Sequence, residues 1–301
     1  MLAFHTLDVF TDTPFAGNPL AVVLGADDLT DAQMQTIARE FNLSETIFVQ
    51  RPVDPANTAR VRIFVPMAEI PFAGHPTIGC AILLAEAAMG DDPVRIVLEE
   101  EAGLVPVTLT RSQGQVTAEL TAPVTPFAAS GPDVAQALDP ALLARALGVE
   151  ASDIGFGTHC PGLWQGGSKF LYVPLRDARA LAHAQPCEPA WSQVMAAGGV
   201  GGAYLYTKAA GADYQARMFS SRAGIREDPA TGSASAILAA QLWAAGALTV
   251  GESRLALLQG VEMGRKSEIA LTVVCDANGV TSVRVAGQAV RISDGRIRIP
   301  A

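Results

Sequence analysis

Residues 62–85 read RIFVPMAEIPFAGHPTIGCAILLA: a strand-like run, a turn closed by Gly74, then a small and aliphatic stretch with the length of a buried helix. A shift of 155 residues lays this segment without a gap on residues 217–240, RMFSSRAGIREDPATGSASAILAA. Arg62 then meets Arg217, Phe64 meets Phe219, Ala68 meets Ala223 and Ile70 meets Ile225. Further on, Ala81-Ile82-Leu83 meets Ala236-Ile237-Leu238, and Ala85 meets Ala240. An internal echo in the order strand, turn, helix is the mark of a duplicated unit. It predicts two similar halves whose helix N-termini face one cleft.

Working outward, the 301-residue chain is long enough for two domains, half of it is hydrophobic and 17% is charged, which suits a compact, well-buried globule. A net charge of −9 with three lysines (Lys169, Lys208, Lys266) speaks against nucleic acid or an anionic membrane as a partner. The N-terminus lacks the pattern of a signal peptide, and the most apolar run, 234–247, is too short to span a bilayer. Cys80, Cys160, Cys187 and Cys275 show neither zinc nor CxxC spacing, and reduced thiols in the cytoplasm are expected.

Strands are expected at 3–10, 20–24, 44–50, 60–66, 94–99, 105–111 and 116–120. Thr30 and Gln33 have capping-box spacing ahead of Met34, Ile37, Ala38 and Phe41, and a buried helix is expected over 75–88. Residues 121–133, rich in Pro, Ala, Thr and Ser, read as a linker. Beyond them, helices are expected at 135–147 and 191–197, with strands at 170–173, 203–207 and 213–219.

Three segments carry candidate chemistry. Glu45 in NLSETIFV sits at a helix-to-strand junction, where partial desolvation would raise a carboxyl toward proton-transfer range; a solvated loop glutamate or local cap is the alternative. In EIPFAGHPT, Gly74 and the helix start that follows offer a cradle for a carboxylate, and His75 at its edge is placed to move a proton. A structural turn with a satisfied histidine is equally open, and Pro14–Pro19 repeats the wording with Asn18 in place of histidine. In GIREDPATGSA, the N–H groups of Thr231, Gly232 and Ser233 could bind an anion and Asp228 could orient a substrate amine or His75, although Asp and Thr are also ordinary helix caps. Walker, dinucleotide, GxSxG and HExxH motifs are missing, and no cofactor or metal is expected. His5, His159 and His183 read as structural or surface residues.

Taken together, DVFTDTPFAGNPLAVV, NLSETIFV, FVPMAEIPFAGHPTIG, GIREDPATGSA and QGVEMGRKSE resemble the PhzF family of phenazine biosynthesis in order and spacing. The resemblance implies the α+β fold of diaminopimelate epimerase: two pseudo-symmetric domains, each a curved, mostly antiparallel sheet wrapped around a central helix. The halves would span 1–122 and 123–286, with 287–301 packing back onto the first, and with the active site in the cleft between them. It further implies a cofactor-independent isomerase in which Glu45 moves a proton between carbons of a small amino- and carboxyl-bearing substrate. His75, Asp228 and Ser233 would assist, and the protein would be a homodimer. Racemases on this fold use two opposed cysteines; their places fall near Ala73 and Pro229 here, and Ser235, not cysteine, answers Cys80. Lys266 departs from the proline of many relatives and is expected to alter only a loop. A lyase or hydratase using Glu45, or a non-catalytic carboxylate-binding protein, are the rival readings.

Overall fold

The computed structural model describes residues 1–86, 90, 92–220 and 226–301. The fold is α+β, and the chain divides into two compact units. Unit 1 comprises Met1–Thr121, Gly264–Glu268 and Val285–Ala301, and unit 2 comprises Ala122–Met263 and Ile269–Arg284. None of the described helices is long and apolar enough to cross a membrane.

Unit 1 opens with β1 (Leu2–Val9), β2 (Asn18–Leu24), α1 (Asp31–Phe41), β3 (Glu45–Gln50), β4 (Ala59–Val65) and β5 (Ala68–Ile70). It continues through α2 (Gly74–Ala85), β6 (Val94–Glu100), β7 (Gly103–Ser112) and β8 (Gln115–Thr121). Unit 2 holds β9 (Phe127–Ala128), α3 (Val134–Ala137), α4 (Pro140–Leu147), β10 (Gly162–Gly166), β11 (Ser168–Pro174), α5 (Ala178–His183) and α6 (Ala190–Gly198). There follow β12 (Gly202–Lys208), β13 (Tyr214–Ser220), β14 (Glu227–Asp228), α7 (Gly232–Ala244), β15 (Gly251–Gln259), β16 (Ser267–Asp276) and β17 (Gly279–Gly287). The last strand, β18 (Ala289–Ile297), pairs antiparallel with β1.

In α1 both halves of the capping box are formed between Thr30 and Gln33, and Met34, Ile37 and Ala38 are buried. Helix α2 is apolar all round, so its burial has no preferred face: every residue except Leu84 is buried, and it packs on β1, β2, β3, β6, β7 and β8. Gly79 permits that approach, because a Cβ there would lie 2.6 Å from Leu20 and 2.7 Å from Val9. In unit 2, α7 is likewise buried over Ala234–Leu242.

Strand pairing repeats between the units. β2–β3 and β11–β12 are parallel, β3–β4 and β12–β13 antiparallel, β4–β6 and β13–β15 parallel. Short β5 and β14 fold back on β4 and β13, with Glu69 opposite Phe64 and Glu227 opposite Phe219. Each of these glutamates grips the echoed arginine: Arg62 Nε lies 2.6 Å from Glu69 Oε1, and Arg217 Nε lies 2.7 Å from Glu227 Oε1.

The echo is not gapless in the folded chain. A shift of 155 holds for β4 on β13, but Glu69 and Glu227, and the helix starts Gly74 and Gly232, are 158 apart. Unit 2 therefore carries three extra residues between its paired strands. The match of Ala81-Ile82-Leu83 to Ala236-Ile237-Leu238 arose from alanine-rich composition, and Cys80 stands where Leu238 stands, not Ser235. Ala223 and Ile225, two positions of the echo, lie outside the described residues, as do the terminal Ala87 and Ala88 of the expected 75–88 helix.

Three further expectations change. The 135–147 helix is two helices, because Pro140 lacks the N–H needed to continue α3 and instead starts α4 behind its Asp139 cap. The 121–133 segment is not a plain linker: its β9 pairs with Trp164 and Gln165 of β10. Residues 264–268 belong to unit 1, tied there by backbone bonds from Gly17 to Lys266 (3.0 Å) and from Glu268 to Phe10 (2.7 Å).

Candidate active site

Unit 1 brings Glu45 and His75 together. Glu45 opens β3 with its side chain 14% exposed, and its Oε2 lies 3.4 Å from Nδ1 of His75, which is 3% exposed in the first turn of α2. Burial pushes the His75 imidazole down to about 3, only partly opposed by the Pro19 backbone. The ring is therefore held neutral by burial, and its 3.4 Å approach to Glu45 is a close contact, not an ion pair. Nδ1 also lies 3.5 Å from Nδ2 of Asn18, while Nε2 is buried with no hydrogen-bond partner among the described residues. One nitrogen cannot donate to a carboxylate and accept from an amide at once. The tautomer of His75 thus decides whether Nδ1 accepts from the Asn18 amide or donates to an oxygen beside it.

Asn18 was read in the sequence only as part of a repeated turn, and the structure makes it a neighbour of His75. Its loop is held by Arg265, whose guanidinium pairs with the buried Asp8 and donates to the carbonyls of Ala16 (2.7 Å) and Gly17 (2.8 Å). Asp8 also accepts the N–H of Phe15 at 2.7 Å. Gly17 adopts φ +65, and a Cβ there would fall 2.4 Å from the Val9 carbonyl, so this turn needs glycine. Lys266 contributes its backbone carbonyl and sends its amine to exposed Glu268.

In unit 2, Asp228 ends β14 and Thr231 is the N-cap residue of α7. The Thr231 hydroxyl does not cap the helix; it donates to Asp228 Oδ2 at 2.5 Å. Beneath them lies Gln259, fully buried, which accordingly needs partners for its whole amide. Its Nε2 donates to the Asp228 carbonyl (2.8 Å) and to Thr231 Oγ1 (3.1 Å), and its Oε1 accepts the Thr231 N–H at 3.1 Å. Gly232 is buried and Ser233 half-buried at the helix start. In the sequence Gln259 stands only as the first residue of QGVEMGRKSE, with no role attached; the structure places it at the end of β15 beneath the start of α7.

Side chains cap α1, α3, α4 and α5, yet both buried helices begin without a side-chain cap among the described residues. Helix starts of this kind, with N–H groups not taken by a side chain, are the type of position at which anions bind. His159 stays structural, stacked on Phe156 and 2.9 Å from the Tyr206 hydroxyl. Cys80 is buried and uncharged, its thiol pushed up by burial and then by Glu100.

The sequence profile of the phenazine biosynthesis-like protein family (PhzC-PhzF) matches residues 7–295. An uncharacterized isomerase of Mesorhizobium japonicum is 38% identical, with 97% of each chain covered. The trans-2,3-dihydro-3-hydroxyanthranilate isomerase of Pseudomonas chlororaphis is 37% identical, again over 97% of each chain. Among solved structures, a PhzF-family protein of Bacillus anthracis matches the fold with a TM-score of 0.87 at 24% identity over 99% of both chains.

Proposed function

This chain belongs to the PhzF family of phenazine-biosynthesis-like proteins, among whose curated relatives are trans-2,3-dihydro-3-hydroxyanthranilate isomerases and uncharacterized isomerases, and on that premise we propose that it is an isomerase using Glu45 as its proton carrier. The substrate is a small molecule bearing an amino and a carboxyl group. Protonated Glu45 delivers its proton to one carbon, and the resulting carboxylate collects a proton from another carbon of the same molecule. The two transfers return the enzyme to its starting state and shift a double bond in the substrate. No metal or organic cofactor enters this scheme, and the protein acts as a cytoplasmic homodimer.

The observation that carries the reading is the Glu45–His75 pair. A cation beside a carboxylate favours its ionised form, whereas a neutral imidazole leaves the acid able to hold either charge state. The uncapped helix starts support binding of the substrate carboxylate, with Asp228 suited to a substrate amine.

The test incubates the purified protein in D₂O with amino-carboxylates, beginning with trans-2,3-dihydro-3-hydroxyanthranilate. Deuterium entering at carbon, followed by NMR, supports proton transfer at carbon. Net addition or loss of water would identify a hydratase or lyase, and binding without exchange would identify a carboxylate-binding protein.

A further inference from the structure

Glu100 and Gln259 occupy the same place in the two units. Each is the last residue of its strand, β6 or β15. In the equivalent parallel pairs, Arg60 lies opposite Glu99 and Gln215 opposite Leu258, so Glu100 and Gln259 are the next residues along the two matching strands. Gln259 braces the Asp228–Thr231 turn with a neutral amide. A carboxylate at the corresponding place in unit 1 would be a buried charge, since Glu100 is 8% exposed.

Proton counting at Thr77 shows that a neutral Glu100 fits its contacts. Its Oγ1 lies 2.7 Å from the Ala73 carbonyl oxygen and 2.7 Å from Glu100 Oε1. A hydroxyl has one proton, and a carbonyl only accepts. The Ala73 carbonyl also accepts the Thr77 N–H at 3.3 Å, so the single hydroxyl proton serves either Ala73 or Glu100, and when it goes to Ala73 a neutral Glu100 closes the other contact with its own proton. The other oxygen, Oε2, is buried with no hydrogen-bond partner among the described residues, a far smaller penalty for a neutral acid than for a carboxylate. Burial in addition pushes the Glu100 carboxyl up to about 8, with the Thr77 bond opposing.

The groups around it offer little compensation. On α2 it faces Thr77 and Cys80, whose thiol is neutral, and on β7 it pairs with Gly103. The recess of about 510 Å³ that Glu100 helps to line also carries Arg60 and Arg62 of β4, Glu69 of β5, Glu99 and Glu101. Arg62 is committed to Glu69 and Asp31, and Glu99 is held by Asn57 and the N–H groups of Val53 and Asp54.

We infer that Glu100 is a positioning residue for the Gly74–His75 turn, working as a neutral acid that grips Ala73 through Thr77 as the Gln259 amide grips Thr231, and that its ionisation loosens that turn. The inference rests on the reading of His75 and Glu45 as the reacting pair only for its link to function; the turn itself can be measured without substrate.

The test compares the wild-type protein with Glu100→Gln by urea unfolding between pH 5 and 8.5 and by ¹H–¹⁵N spectra of the His75 imidazole. The folded acid holds its proton above the range where the unfolded one releases it, so stability from this group is present at low pH and declines as pH rises toward 8. The wild type should lose stability relative to Glu100→Gln over that window, and the His75 signals should shift with a midpoint near 8 in the wild type alone. Parallel stability curves, or an identical alkaline shift in both proteins, would overturn the inference. So would a Glu100→Gln protein that does not fold, because a neutral amide of the same shape is what the site is argued to accept. Should these results hold while Glu45→Gln retains full exchange at carbon, the positioning role stands and the assigned reaction fails; the converse pattern removes only the positioning role.

Discussion

Glu45 and Gly202 hold the same place in the two units, each opening the strand that pairs with the echoed Arg–Phe strand. Thr46 lies opposite Phe64 and Ala203 opposite Phe219, which puts Glu45 and Gly202 one step earlier in identical register. Only unit 1 has room for an acid there. A Cβ on Gly202 would lie 2.4 Å from the Phe219 carbonyl and 2.8 Å from Met218. Gly202→Ala is therefore expected to destabilise the protein by about 1–3 kcal/mol through overpacking, read from urea unfolding. An unchanged midpoint would mean that the strand spacing relaxes freely.

His75 gives stability a dependence on acid. Its imidazole is held far below the unfolded value of 6.5, so the unfolded chain takes up a proton that the folded chain refuses. Stability from this group is complete above about pH 6.5 and is lost as pH falls toward 3, at up to about 1.4 kcal/mol per unit. Between pH 6.5 and 4.5 the wild type should weaken more steeply than His75→Asn. Equal slopes would show a ring that already accepts a proton in the folded state. This window has the opposite sign to that of Glu100, and the two together narrow the range of best stability.

Much of the architecture was legible because strands with β-branched and aromatic residues and small-residue helices leave strong patterns. The echoed Arg62/Arg217 and Phe64/Phe219 marked true equivalents. The helix register was lost because Ala and Leu match by composition alone, whereas the shorter strings Glu69-Ile70-Pro71-Phe72-Ala73-Gly74 and Glu227-Asp228-Pro229-Ala230-Thr231-Gly232 carry the correct offset. Glu45 and His75 could be singled out as residue types at junctions, but their approach depends on parallel pairing of β2 with β3, which no local pattern encodes. The roles of Asn18, Gln259 and Glu100 could not be read for the same reason: each acts on a turn far away in sequence.

Gln259→Leu should leave the Thr231 N–H and the Asp228 carbonyl without their present partner. A stability loss of about 2–4 kcal/mol is expected by urea unfolding, since each buried group left unmade costs about 1–3 kcal/mol. Gln259→Glu should be milder at low pH, where its acid is neutral, and worse as pH rises. A Gln259→Leu protein as stable as the wild type would remove the brace from the account.

Arg265→Met deprives buried Asp8 of its cation and the Ala16 and Gly17 carbonyls of their donor. A loss of about 3 kcal/mol is expected, in the range for breaking one side of a buried pair. Arg265→Lys should recover only part of it, because an ammonium cannot reproduce the fork that reaches all three acceptors. Full recovery by lysine would show that charge alone holds the loop.

The central claim is that Glu45 carries the proton, and Glu45→Gln tests it most directly because it keeps the side chain's shape and removes the acid. With a substrate that the wild type labels in D₂O, the variant is expected to incorporate deuterium at carbon about 10²–10⁴-fold more slowly while still binding the compound. Incorporation at the wild-type rate in folded Glu45→Gln would contradict the account and move the base elsewhere.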